Sequence, residues 1–208
     1  MSIITQLSSQ VGDRSEASNL KVVAACQADP TLLAEIAAGL SSKDAALMGD
    51  CAEVLTKVAE TNPAWVSPYA PPLAALLTHK NTRVRWEAMH ALALVATLAA
   101  PVIASNLPQL REIIHNDKSV IVRDYAVDTV ANYATVNTQA AELAYPILVE
   151  ALTTWASKQA GRALTGLINV AKITPQFNNT LTQYAQLGLA DRRGVVRQAA
   201  KKLLKTIS

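Results

Sequence analysis

The stretches Val84-Arg-Trp-Glu-Ala88-Met-His-Ala-Leu92-Ala-Leu-Val95-Ala and Val122-Arg-Asp-Tyr-Ala126-Val-Asp-Thr-Val130-Ala-Asn-Tyr133-Ala carry one and the same apolar pattern. Small or apolar residues fall at steps of four, four and three, which draws a single stripe down one side of an α-helix. The stripe recurs along the chain. Its first column is Cys51, Ala88, Ala126, Ala163 and Ala200; its second is Leu55, Leu92, Val130, Leu167 and Leu204; its third is Val58, Val95, Tyr133, Val170 and Ile207. A partner helix precedes each copy, with Ile36, Leu73, Leu110, Leu148 and Ala185 in one column and Leu40, Leu77, Ile114, Leu152 and Leu189 four residues on. Successive copies are 37 residues apart, with one step of 38 that places a single extra residue in the turn between Ile114 and Val122.

A helix pair of this size cannot bury its apolar side alone, so the copies must stack and share a core. The expected fold is all-α: an α-α superhelix, or solenoid, of about five helix pairs in a single domain spanning 1–208. The pairs are expected at about 31–60, 68–97, 106–136, 143–173 and 179–207. The first 29 residues form an incomplete copy, in which Glu16, Leu20, Val23 and Ala24 echo the stripe. They predict a lone capping helix at 15–27. At the other end, Gly194 to Ile207 is expected to turn Val195, Val196, Ala199, Ala200, Leu203, Leu204 and Ile207 inward and to keep Arg197, Lys201 and Lys205 on the opposite side, as a terminal cap requires.

Composition agrees. Half of the 208 residues are hydrophobic but only 4% are aromatic, and seven glycines with no Asn-Gly or Asp-Gly pair leave no hairpin signal. The formal charge of +3 is too small to argue for nucleic acid by itself. Its distribution is uneven: Arg192, Arg193, Arg197, Lys201, Lys202 and Lys205 face Asp191 alone in the last stretch, and the rest of the chain is slightly acidic. Cys26 and Cys51 sit in apolar helical contexts without metal-ligand spacing and are expected as buried, reduced thiols. The start Met1-Ser-Ile-Ile-Thr-Gln lacks the basic and apolar regions of a signal peptide. The charge-free run from Ala91 to Leu110 contains Pro101, Ser105, Asn106, Pro108 and Gln109, which argues against a membrane span. A cytoplasmic protein is the expectation.

Pro71, Pro108 and Pro146 occupy one register in the first helices, where the fifth copy has Gln183. With Val-Arg-x-x-Ala-x-x-x-Leu-x-x-Val-Ala in the second helix, the chain from about residue 30 to 207 resembles HEAT repeats. Copies two, three and five carry the Arg as Arg85, Arg123 and Arg197, while copies one and four have Met48 and Ala160 there. The resemblance implies a polar ladder between neighbouring copies, made by these arginines with Asp117 and Asp191, and with Asn81 as a stand-in.

No Gly-rich phosphate loop, His-Glu-x-x-His, Cys-x-x-Cys or Gly-x-Ser-x-Gly occurs. No catalytic, cofactor-binding or metal-binding residues are therefore assigned; His79, His90 and His115 lack a third ligand at helical spacing. Two surfaces remain. The turns joining the helices of each pair offer a basic edge of Lys80, Arg83, Lys118, Lys158, Arg192 and Arg193. The outward face of the second helices, concave in such solenoids, offers Glu53, Lys57, His90, Asp128, Asn132, Arg162, Thr165, Asn169 and Lys202. The primary expectation is a non-enzymatic scaffold that binds a partner protein or peptide on that face. The alternatives are nucleic-acid binding through the basic edge and basic last helix, or a DNA glycosylase or lyase of the HEAT-like class, for which Asp124 and Asp128 beside Tyr125 are the candidate acids. Trp86 and Trp155 fit either a binding hot spot or packing between copies.

Overall fold

The computed structural model describes residues 2–208. Its helices, in chain order, are α1 (Ser8–Val11), α2 (Ala17–Ala28), α3 (Leu33–Gly39), α4 (Ala45–Ala59), α5 (Pro63–Val66), α6 (Ala70–Ala74) and α7 (Thr82–Val95). They continue with α8 (Ala100–Asn116), α9 (Val120–Tyr133), α10 (Thr138–Ala151), α11 (Ala160–Ile173), α12 (Asn178–Leu189) and α13 (Gly194–Ile207). Among the described residues there is no β-strand. Among those residues no helix is long and apolar enough to cross a membrane.

The helices group into two compact units, one ending at Val102 and the other beginning at Ile103. In the first, α2 packs on α4 and α4 on α7, with α3 against α4 and α6 against α7. In the second, α9, α11 and α13 pack in series, α10 lies against α9 and α11, and α12 lies against α13. The stripe residues form these contacts. Cys51, Ala88, Ala126, Ala163 and Ala200 are wholly buried, so helices cross closely where the side chain is small. Leu55, Leu92, Val130 and Leu167 are buried behind them, each contributing about 1.5–3 kcal/mol of transfer free energy. Both cysteines are buried free thiols, and burial pushes the Cys51 thiol up to about 12.

Helix starts follow local capping. Asp44, Asn81, Ser119 and Asn137 each accept a hydrogen bond from a first-turn N–H. The cap at Asn137 and the break after Val95 begin α10 at Thr138 and α8 at Ala100, eight residues before Pro146 and Pro108 respectively. Pro108 and Pro146 lie inside those helices, whereas Pro68, Pro71 and Pro72 cut the corresponding segment of the second pair into α5, a 3-10 turn (Ser67–Tyr69) and α6.

Two expectations are corrected. The capping helix is α2, but the residues it buries are Asn19, Val22, Val23 and Cys26, with Leu20 and Ala24 outward. The helix is rotated so that the Asn19 amide reaches carboxylates on α4. It is also not alone: Ile3 and Leu7 are buried, in a 3-10 turn and the start of α1, which ends at Gly12 in the left-handed region (φ 73°).

The second correction concerns the motif arginines. Their guanidinium groups donate to backbone carbonyls of the turn in their own pair: Arg85 to His79 and Lys80, Arg123 to Asp117, Arg197 to Asp191 and Arg192. Asn81, Asp117 and Asp191 instead accept from the N–H two residues on. These bonds lock each turn within its own pair, because a helix C-terminus leaves carbonyls that a nearby cation satisfies.

Candidate functional site

The first unit concentrates charge at a cavity of about 590 Å³ walled by α1, α4, α7 and the segment that joins α1 to α2. Five carboxylates line it (Asp13, Glu16, Asp50, Glu53 and Glu87) against Arg14 and Arg83, with the Trp86 indole beside them. Asp50 is 1% exposed and accepts from the Ser9 N–H (2.7 Å), Asn19 Nδ2 (3.1 Å) and Arg83 Nη2 (2.7 Å). Burial works to raise its pKa, but those hydrogen bonds outweigh burial and hold the carboxyl below its ordinary value. Glu53 accepts from Asn19 Nδ2 (2.9 Å) and Arg83 Nη2 (2.6 Å). Arg83 lies across Gly49, where a Cβ would come within 3.3 Å of its guanidinium. Glu87 accepts from Trp86 Nε1 (2.6 Å), and burial pushes its pKa up. Asp13 caps the start of α2 through Ser15 and Ser18.

In the second unit Arg162 bridges Asp128 and, through Nε at 3.4 Å, Asp124. Gln159 Nε2 also donates to Asp124 (3.2 Å). Burial raises the Asp128 pKa although Arg162 opposes it. The pair of acids read as glycosylase candidates is thus tied to a cation. Glu150 is gripped at both oxygens by Arg111 (2.7 Å each) and by His115 Nε2 (2.9 Å).

The turn between α10 and α11 differs from the others. It lacks a motif arginine, having Ala160 in that register, and Trp155, Ala156 and Ser157 all take left-handed φ (53°, 53° and 62°). The Trp155 ring covers the Arg123 guanidinium at 4.0 Å, and its Nε1 donates to the His115 carbonyl (2.8 Å). Arg193 Nη1 donates to the Ser157 carbonyl (2.6 Å), giving this turn from outside the cation its own pair lacks. Under Trp155, Arg123 is 1% exposed, and burial lowers its pKa.

Of the expected face residues, Glu53 is 7% exposed and inside the first-unit network, so it is not an open groove position. Lys57 is half-buried and paired with Glu60 at 3.3 Å. His90, Asp128 and Asn132 are half-buried; Arg162, Thr165 and Lys202 are exposed. The Thr165 hydroxyl donates to the Gly161 carbonyl (2.9 Å) and the Asn169 amide to the Ala131 carbonyl (2.9 Å). On the basic edge, Lys80, Lys118, Lys158 and Arg192 are exposed, while Arg83 is drawn into the carboxylates and Arg193 is held by Asp191. Among the described residues no group of three or more His, Cys, Asp or Glu is placed to hold a metal ion. Asp13, Glu16, Asn19, Asp50 and Glu87 were missed. Their one sequence signal was an acid, Asp50, directly beside a buried stripe position, Cys51.

No protein-family model matches the sequence, and no curated protein matches it. Solved structures do. An engineered protein aligns over 100% of this chain and 97% of its own at 19% identity, with a TM-score of 0.77. A designed armadillo repeat protein in complex with the peptide (KR)4 aligns over 99% and 98% at 17% identity, with a TM-score of 0.79. A computationally designed armadillo repeat protein for modular peptide recognition aligns over 100% and 91% at 18% identity, with a TM-score of 0.72. At these identities the likeness is one of fold alone: an all-α helical-repeat solenoid.

Proposed function

We propose that this protein is a cytoplasmic, non-enzymatic scaffold of HEAT-like repeats that binds a peptide segment of a partner protein on the face of its second helices. The segment carries Lys or Arg. The single observation behind this reading is the first-unit cavity, where five carboxylates outnumber two arginines beside the Trp86 indole. A guanidinium or ammonium group entering there meets carboxylates and a ring face. Glu16 is exposed at its rim, and Lys57 and His90 lie further along the same face. The second unit, taken by itself, carries Asp128, Asn132, Arg162, Thr165, Asn169 and Lys202 at the corresponding positions of its second helices. The designed armadillo repeat protein that holds (KR)4 supports the reading, since it presents a basic peptide to a fold of this kind. Engagement of Arg83 and Arg193 by acids speaks against the nucleic-acid alternative.

The test is fluorescence anisotropy with a labelled octapeptide of alternating Lys and Arg, against its Asp and Glu counterpart. Saturable binding of the basic peptide alone, weakened about tenfold by Glu16→Lys, is expected. Equal binding of both peptides, or a shift of duplex DNA at ~50 mM salt that exceeds the peptide response, overturns the reading.

A further inference from the structure

The second unit contains a second cavity, of about 460 Å³, on the side of the first helices α10 and α12. Its walls are Val149, Leu152, Leu164, Tyr184, Leu187 and Val196, with Gly188 at the floor. A Cβ at Gly188 would lie 2.9 Å from Ala200 and 3.2 Å from Leu164, so the missing side chain is what lets α12 approach α11 and α13. A volume of this size and a mostly apolar lining are those of a ligand site.

Three further observations converge on it. Leu187 is 72% exposed at the mouth, and the residues in its register in the other pairs are Glu150, Glu112, Ala75 and Ala38. The fifth pair therefore puts a large apolar side chain where the others put an acid or an alanine. Next, each carboxylate at the rim already has its own cation. Glu150 is bound by Arg111 and His115, and Asp191 by Arg193 at 2.6 Å. Hydrogen bonds from Arg111 to Glu150 and from Arg193 to Asp191 hold both acids below their ordinary pKa values, so the pairs stay formed at neutral pH. Finally, Thr153 and Ser157 on the lip belong to the turn whose three residues are left-handed, and strain of that kind gathers where a structure is shaped around a ligand.

We infer that this cavity is a binding site for an uncharged apolar molecule, of the class of a two- or three-ring aromatic or a comparable alkyl group. A charged ligand would give up its hydration at a rim whose charges are already matched, and would gain no partner in return. The site is separate from the carboxylate-lined cavity and stands whether or not that cavity takes a peptide.

The experiment titrates the protein with N-phenyl-1-naphthylamine, an uncharged probe whose emission rises in apolar surroundings. The same titration uses its sulfonated relative, 1-anilinonaphthalene-8-sulfonate. One saturable site for the neutral probe is expected, with at least tenfold weaker binding of the sulfonate. Leu187→Glu should weaken the neutral probe at least tenfold; Glu at this register already stands in two other pairs, and circular dichroism confirms that the variant is folded. Glu16→Lys should leave the probe unaffected. The inference is overturned if the neutral probe does not bind, if Leu187→Glu leaves its binding unchanged, or if both probes bind equally. It is also overturned if sedimentation shows a dimer that Leu187→Glu dissolves, which would make a second copy the occupant.

Discussion

Replacing Arg83 by methionine removes a charge and keeps most of the aliphatic stem, so its effect reports the ion network of the first unit. Arg83 Nη2 lies 2.7 Å from Asp50 Oδ1 and 2.6 Å from Glu53 Oε2, and the side chains of those acids are 2% and 10% exposed. Without the cation, Asp50 keeps the Ser9 N–H and the Asn19 amide, while Glu53 keeps only the Asn19 amide among these partners. Stripping the partner from a fully buried pair costs about 3–5 kcal/mol. Arg83 is itself 38% exposed, so water reaches the site and the expected loss is smaller, about 2 kcal/mol. For a protein of this size that lowers Tm by roughly 4–8 °C. Thermal melts followed by tryptophan emission and by circular dichroism at 222 nm provide the readout. The folded-state pKa of Asp50 is lowered, so its contribution is complete above the unfolded value of about 3.9 and is lost as pH falls through the folded value. The gap between wild type and Arg83→Met should therefore be full at pH 7 and close in strong acid. An unchanged Tm at pH 7, or a gap that stays constant down to pH 2, refutes the network as described.

Glu87 behaves in the opposite sense: burial raises its pKa, so its ionisation opposes folding as pH rises through and beyond the window between the unfolded and folded values. Glu87→Gln, which keeps an acceptor for Trp86 Nε1, should raise Tm at pH 7 and lose that advantage below about pH 4; a variant less stable at pH 7 contradicts this. Ala156→Gly tests the left-handed turn. An L-residue there costs about 1–2 kcal/mol and glycine returns about 0.5–1 of it in chain entropy, so a net gain of about 0.5–1 kcal/mol is expected in urea melts, and a loss would mean that Ala156 does not have φ near 53°.

The apolar columns were legible because a stripe at helical spacing is local information: Ile36, Leu73, Leu110, Leu148 and Ala185 sit in register in the sequence and are all buried. The candidate site was much less so. Glu53 was read as outward because it lies off the stripe, yet α2 covers it, and Asn19 with Arg83 makes the burial tolerable. Likewise Leu20 and Ala24 fitted the stripe by spacing, but an amide with two carboxylates to satisfy rotated the helix away from that fit.

What the chain by itself determined is its class and most of the residues of its core, since hydrophobic periodicity needs only neighbours one or two turns away; Leu20, Ala24, Leu189 and Val195, which the same spacing took in, stay exposed. What the tertiary structure alone decided is which polar groups meet: Asn19 with Asp50 and Glu53, Arg83 with the same acids, Trp155 with Arg123, and the apolar pocket beneath Leu187. Each joins residues tens of positions apart, and one residue along a helix turns the side chain by about 100°. The spacing pattern specifies that face too coarsely; close packing of neighbouring helices fixes it.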